Sequence, residues 1–149
     1  DILDAKIYPT SHDYALDIFH VMDDNNLNES YNQLFQHLEQ GLTEIIPRKF
    51  ESKEIALRKT RQAEHHDIQT VINNKIINET QFELEIITDS RPGLLNMISG
   101  EINQLSLEID KARINTLGNR AEDFFLITSK KVEETTIKQL KKNILERLT

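Results

Sequence analysis

The chain repeats itself, and this constrains its fold more than any other feature, because self-similarity at a near-fixed offset marks one structural unit built twice. Asp1-Ile2-Leu3-Asp4-Ala5-Lys6-Ile7 recurs as Glu108-Ile109-Asp110-Lys111-Ala112-Arg113-Ile114. Asp17-Ile18-Phe19-His20-Val21 recurs as Asp123-Phe124-Phe125-Leu126-Ile127, with the spacing shortened by one residue between the two blocks. That change falls in a turn, where the chain tolerates it.

Each block reads as a β-hairpin. In the second copy Ala112, Ile114 and Thr116 alternate with Arg113 and Asn115, the period of a strand. Gly118-Asn119 supplies residues that accept positive φ, as a tight hairpin requires. The return strand sets Phe125 and Ile127 on one face and Phe124 and Leu126 on the other, so both faces are expected to be covered. A helix follows each hairpin. Tyr31, Leu34, Phe35, Leu38, Leu42 and Ile45 form an apolar stripe stopped by Pro47, and Ile137, Leu140, Ile144 and Leu148 form its counterpart.

Between the repeats, residues 47–66 are polar and carry Arg48, Lys49, Lys53, Arg58, Lys59 and Arg61. A solvated linker, with or without a short helix, is the simple reading; a basic docking segment is the alternative. From Asp67 the pattern becomes strand-like through Ile68-Gln69-Thr70-Val71-Ile72, turns at Asn78-Glu79, and returns with Phe82, Leu84 and Ile86 on one face. A helix is then expected to begin near Pro92, burying Leu94, Ile98, Ile102 and Leu105, with the proline in its first turn. Residues 67–149 thus read as strand, strand, helix, strand, strand, helix. A βαββαβ unit of ferredoxin type places its last strand antiparallel beside its first, and a strand at 67–77 fills that edge from the other end of the chain. The expectation is an α+β fold: antiparallel sheet with helices on one face, circularly permuted and complete in the second copy. The first copy, 1–46, holds only the closing strand, strand and helix, so the natural protein is expected to extend upstream.

The most informative local motif is Asp89-Ser90-Arg91-Pro92-Gly93-Leu94-Leu95, joining a strand to a helix. The first amides of a helix lack intrahelical partners and lie at the positive end of its dipole. Gly93 carries no side chain to keep a ligand from them. Such a place accepts a small anion, including an amino-acid carboxylate. Arg91 can add a charged donor, and Asp89 can hold an ammonium or cap the backbone. A strand-to-helix turn with no ligand uses the same residues.

This motif resembles the ligand loop of the ACT domain family, which often reads Asp-x-x-Pro-Gly-Leu-Leu between the first strand and first helix. The stretch from Ala112 to Phe125 is similar to the second hairpin of one subfamily, the bifunctional PII uridylyltransferase/uridylyl-removing enzymes. Ala5-Lys6-Ile7 and Tyr14-Ala15-Leu16-Asp17-Ile18-Phe19 resemble the preceding repeat of the same enzymes. Two departures stand out: Asn119 where an acid is more common, and His12-Asp13 where a glycine is usual. The resemblance implies tandem ACT modules that pair within or between chains. It implies amino-acid binding, with Asp89, Ser90, Arg91, Pro92, Gly93, Leu94 and Leu95 at the site and glutamine as effector. The parent enzyme would need Mg²⁺ and would act on PII, the nitrogen-regulatory protein, in the cytoplasm; the fragment itself would need no cofactor. A free-standing amino-acid-binding ACT protein is the alternative, and a purely structural pairing module a third reading.

Composition narrows the field. With no cysteine there is neither a disulfide nor thiol chemistry, which suits a cytoplasmic protein. A net charge of −7 disfavours nucleic acid, whose affinity rests on clustered Lys and Arg. No apolar run approaches the roughly 20 residues of a membrane span. Catalytic groupings are not found either. Asp23-Asp24 follows no Gly-Ser turn of the kind that positions metal-binding carboxylates, and His65-His66-Asp67 reads as coincidence in a linker, with His12, His20 and His37 scattered elsewhere. The chain is therefore expected to be catalytically silent.

Overall fold

A computed structural model describes residues 2–9, 15–21, 30–45 and 68–148. Asp23-Asp24, His12-Asp13, the basic segment 47–66 and His65-His66-Asp67 lie outside the described residues. The described elements are β1 (Ile2–Pro9), β2 (Ala15–Val21), α1 (Tyr31–Ile45), β3 (Val71–Ile76), β4 (Gln81–Asp89), α2 (Leu94–Gln104), β5 (Glu108–Leu117), β6 (Arg120–Thr128) and α3 (Glu134–Leu148). The chain divides into two compact units, one of 1–22 with 55–149 and one of 23–54.

The larger unit is an α+β fold around one antiparallel six-stranded sheet, ordered β2-β1-β5-β6-β4-β3. Period-2 patterning sets its two faces. Phe82, Leu84 and Ile86 of β4, Phe125 and Ile127 of β6, and Ala112 and Ile114 of β5 point one way and are buried. Ile98 and Ile102 of α2 and Ile137, Leu140 and Ile144 of α3 close over them, at about 1.5–3 kcal/mol per large side chain. β3, expected to start near residue 67, begins at Val71 and pairs antiparallel with β4 in the position of a fourth ferredoxin strand. The outer face departs from expectation: Phe124 and Leu126 are only half-buried, with the Arg113 guanidinium 4.6 Å from the Phe124 ring centre in place of a packed layer.

Pairing between the repeats is reciprocal. Ala5 lies opposite Ile114, Ile7 opposite Ala112, and Lys6 opposite Arg113. Ala5 and Ala112 are repeat equivalents, as are Ile7 and Ile114, so the two strands meet about a local two-fold centred on Lys6 and Arg113. The internal pairing of each hairpin matches as well. Ala5 faces Phe19 as Ala112 faces Phe125, and both hairpins shift register at the same repeat position, between Ile2 and Asp4 and between Ile109 and Lys111. Ala5, fully buried, belongs to the common core. β2 forms the sheet edge and leaves Leu16, Ile18, Phe19 and Val21 exposed.

In the smaller unit Gln33 closes the start of α1, its Oε1 accepting from the Ser30 N–H at 3.1 Å and from the Ser30 hydroxyl at 3.2 Å. Its stripe of Tyr31, Phe35, Leu38 and Leu42 is exposed.

The end of α2 carries one strained residue. Ser106 takes φ 56 within a Schellman motif, in which its N–H reaches the Asn103 C=O at 2.9 Å and Leu107 N–H reaches the Ile102 C=O at 3.2 Å. Left-handed backbone costs a side-chain-bearing residue about 1–2 kcal/mol, most of which glycine avoids. Ser106→Gly is therefore expected to stabilise the protein by about 0.5–1 kcal/mol net, read as a higher denaturation midpoint at unchanged slope.

Candidate functional site

The strand-to-helix connection is a turn followed by a helix rather than a helix begun at Pro92. Arg91-Pro92-Gly93-Leu94 closes through the Leu94 N–H to the Arg91 C=O at 3.2 Å, and Gly93 holds φ 86 and ψ −2. Proline second and a positive-φ glycine third is type II geometry, which no residue continuing an α-helix from Pro92 would allow. The first helical bond runs from Met97 N–H to the Gly93 C=O at 2.9 Å. Gly93 is the N-cap, no side chain caps it, and the first turn of α2 has no acidic residue. The positive end of α2 is thus left uncompensated by its own side chains.

That end opens on a cleft of about 160 Å³ lined by Ile2, Ser90, Arg91, Gly93, Leu94, Leu95, Ile114, Thr116, Ala121 and Asp123. Five of the seven residues expected at the site lie on its wall. Asp89 and Pro92 instead shape the turn behind it. Asp89 is buried, accepts from the Ile68 N–H at 3.3 Å and lies 3.8 Å from Arg91. Arg91 also donates to the Leu148 C=O at 3.3 Å, so its guanidinium ties the turn to the end of α3. Ser90 N–H reaches the Asn119 C=O at 2.7 Å, anchoring the turn to the β5–β6 hairpin. There Gly118 alone takes positive φ, 62, at the first central position, as a type II′ connection has.

The opposite wall was not foreseen from the motif. Ile2 comes from the first repeat, through the β1–β5 pairing, and Thr116 Oγ1 donates to its C=O at 3.5 Å. Asp123 comes from β6, is 1% exposed, and has an Oδ1 without a hydrogen-bond partner. Burial pushes its carboxyl up to about 7, against a smaller opposing effect of a backbone hydrogen bond from Asn115. Its sequence signal was an acid on the core-facing side of β6, between Ala121 and Phe125. Chemically the cleft combines a helix start at Gly93-Leu94-Leu95, a buried carboxyl at Asp123 and apolar side chains. Among the described residues no three His, Asp or Glu side chains converge as a metal site requires. No helix among them is long and apolar enough to cross a membrane.

No family model matches the chain, and no solved structure matches it. Curated proteins do. The chain is 33% identical to a bifunctional uridylyltransferase/uridylyl-removing enzyme of Psychrobacter arcticus across 100% of its own length and 17% of that protein's. It is 32% identical to the enzyme of the same description from Nitrosospira multiformis over 98% of this chain and 17% of that one. For the Ralstonia nicotianae enzyme the values are 34%, 93% and 17%. The chain thus spans about 17% of the length of these relatives.

Proposed function

Starting from the homology of this chain to one region of the bifunctional uridylyltransferase/uridylyl-removing enzymes, we propose that it is an amino-acid-sensing region of such an enzyme, built from tandem ACT modules, with glutamine as effector. The cleft at the start of α2 is the observation that carries this reading. Its volume of about 160 Å³ is well below the roughly 300–1,000 Å³ that holds drug-sized ligands, and so suits a small metabolite. Its uncapped helix start suits a carboxylate. Its wall draws on both repeats, since Ile2 belongs to the first and the remaining residues to the second. Occupancy would therefore favour one arrangement of the two repeats over another. Such a difference in affinity between two states is what a sensor needs in order to act on distant catalytic domains.

In the parent enzyme, ligand occupancy would bias uridylylation of the PII protein against its reversal, with Mg²⁺ held by catalytic domains outside this chain. PII is then a partner of the whole protein, and the cytoplasm its compartment.

Titration calorimetry with L-glutamine tests the reading on the 149-residue chain. The wild type is expected to bind, and Gly93→Val to lose at least about tenfold in affinity, because a β-branched side chain crowds the helix-start amides. Positive φ at Gly93 adds a strain of about 1–2 kcal/mol to that variant. It should therefore melt earlier, and binding is compared below its transition. Equal affinity in the folded variant would place the ligand elsewhere, and no binding to the wild type would remove the sensing role from this chain.

A further inference from the structure

A buried carboxyl with an unpartnered oxygen is costly, and where one persists it calls for an explanation. Asp123 has this character. Its Cα partners are Ile86 on β4 and Ile114 on β5, and the cleft beside it is closed by Ile2, Leu94, Leu95 and Ala121. None of these can donate a side-chain hydrogen bond; of the two hydroxyls that also line the cleft, Thr116 donates to the Ile2 C=O, and neither it nor Ser90 bonds to the Asp123 Oδ1. The ionisable groups nearby are committed elsewhere. Arg91 serves Asp89 and the Leu148 C=O. On Asp123's own strand, Arg120 and Glu122 pair with each other at 2.6 Å and lie on the alternate face. On α2, Glu101 is held by Asn143 and Arg147 of α3. Across the sheet, Asp4, Lys6 and Arg113 occupy the alternate positions of β1 and β5.

An ionised carboxylate is acceptor-only, so the missing partner is a donor, and a cationic donor restores most of what burial costs. One carboxylate is too few ligands for a divalent cation. A primary ammonium needs only one charged acceptor. The same cleft presents helix-start amides beside Gly93, which suit a carboxylate. Positive and negative recognition within one small cleft is the pattern of a zwitterion.

We infer that Asp123 is the acceptor for the ammonium group of the ligand, so that the cleft admits α-amino acids and rejects α-keto acids of the same carbon skeleton. This rests on the reading of the cleft as an effector site, and it adds a discriminating residue outside the strand-to-helix motif. With the carboxyl pushed up to about 7, part of it is protonated at neutral pH, and only the ionised form pairs with the ammonium. Affinity should fall as pH drops below that value.

The test is calorimetry on the full chain with L-glutamine and with its α-keto analogue, on wild type and Asp123→Asn. Wild type is expected to bind glutamine at least about tenfold more tightly than the analogue, a difference that the near-isosteric Asn variant abolishes by losing the glutamine affinity. Between pH 7.5 and 6 the wild-type affinity for glutamine should fall by up to about tenfold, and that of the variant should not. The amino-versus-keto comparison in wild type requires no variant at all. If the wild type binds glutamine and its keto analogue alike, or Asp123→Asn binds glutamine as tightly as wild type, this assignment is wrong and the sensing role survives. If the wild type binds no amino acid, both fall together.

Discussion

Replacing Ala5 with aspartate is expected to release the β1–β2 hairpin from β5 while the rest of the sheet stays folded. Ala5 is fully buried on the core-facing side, opposite Ile114 on β5 and Phe19 on β2. A carboxylate there has no partner, and an unpaired buried charge costs on the order of 3 kcal/mol or more. The cheapest relief is separation at the β1–β5 junction, because β3 to β6 with α2 and α3 retain most of the core among themselves. Hydrogen exchange reads the outcome directly. Amides of 2–9 and 15–21 should become fast, while those of 81–89 and 120–128 keep their protection. The cleft would lose its Ile2 wall, so glutamine binding should weaken in the same variant. Uniform loss of protection across all six strands would instead mean that the two repeats fold as one cooperative unit.

Asp123→Asn is expected to have a large effect of the opposite sign on stability. The folded-state carboxyl sits at about 7 against an ordinary 3.8, raised chiefly by burial. Below the unfolded value both states are protonated and the group is neutral towards stability. As pH rises from about 4 to 7 the unfolded chain ionises first, so the group progressively destabilises the fold, and above 7 the penalty is constant. At pH 8 it amounts to on the order of 4 kcal/mol. The Asn variant removes the ionisation and should be more stable than wild type by about that amount at pH 8, with the gain vanishing near pH 4. Urea denaturation at the two pH values measures it. A gain independent of pH would mean that ionisation of Asp123 is not what destabilises the wild type. Wild-type protein thus gives up stability at a position where its proposed ligand finds its ammonium partner, a trade common at functional sites.

The sequence by itself determined the local structure and much of the topology. Period-2 runs and paired helical stripes gave six strands and three helices. The core face of β4 is Phe82, Leu84 and Ile86 as their alternation required. The repeat determined which hairpins are equivalent, because equivalent patterns solve the same packing problem. Five of the cleft's lining residues lie in one contiguous motif, where a strand end, a Pro-Gly turn and a helix start are local features that spacing can reveal.

Tertiary structure alone decided the rest. That Pro92 occupies a turn ahead of the helix depends on the left-handed backbone of Gly93, a conformation the sequence permits without requiring. Arg91, a natural anion donor when read in its motif, is drawn to the C-terminal end of α3, which lies far along the chain. The second wall of the cleft exists only because β1 pairs with β5 about a local two-fold, bringing Ile2 beside the second repeat. Asp123 gains its character the same way. Its alternation marks it as inward-facing, but only the closing of Leu94, Leu95 and Ile2 around the cleft removes water from its carboxyl and leaves one oxygen without a partner. Periodicity fixes which way a side chain points, because that is set by backbone geometry a few residues long. What it meets there depends on strands brought together from opposite ends of the chain, and desolvation follows from that meeting.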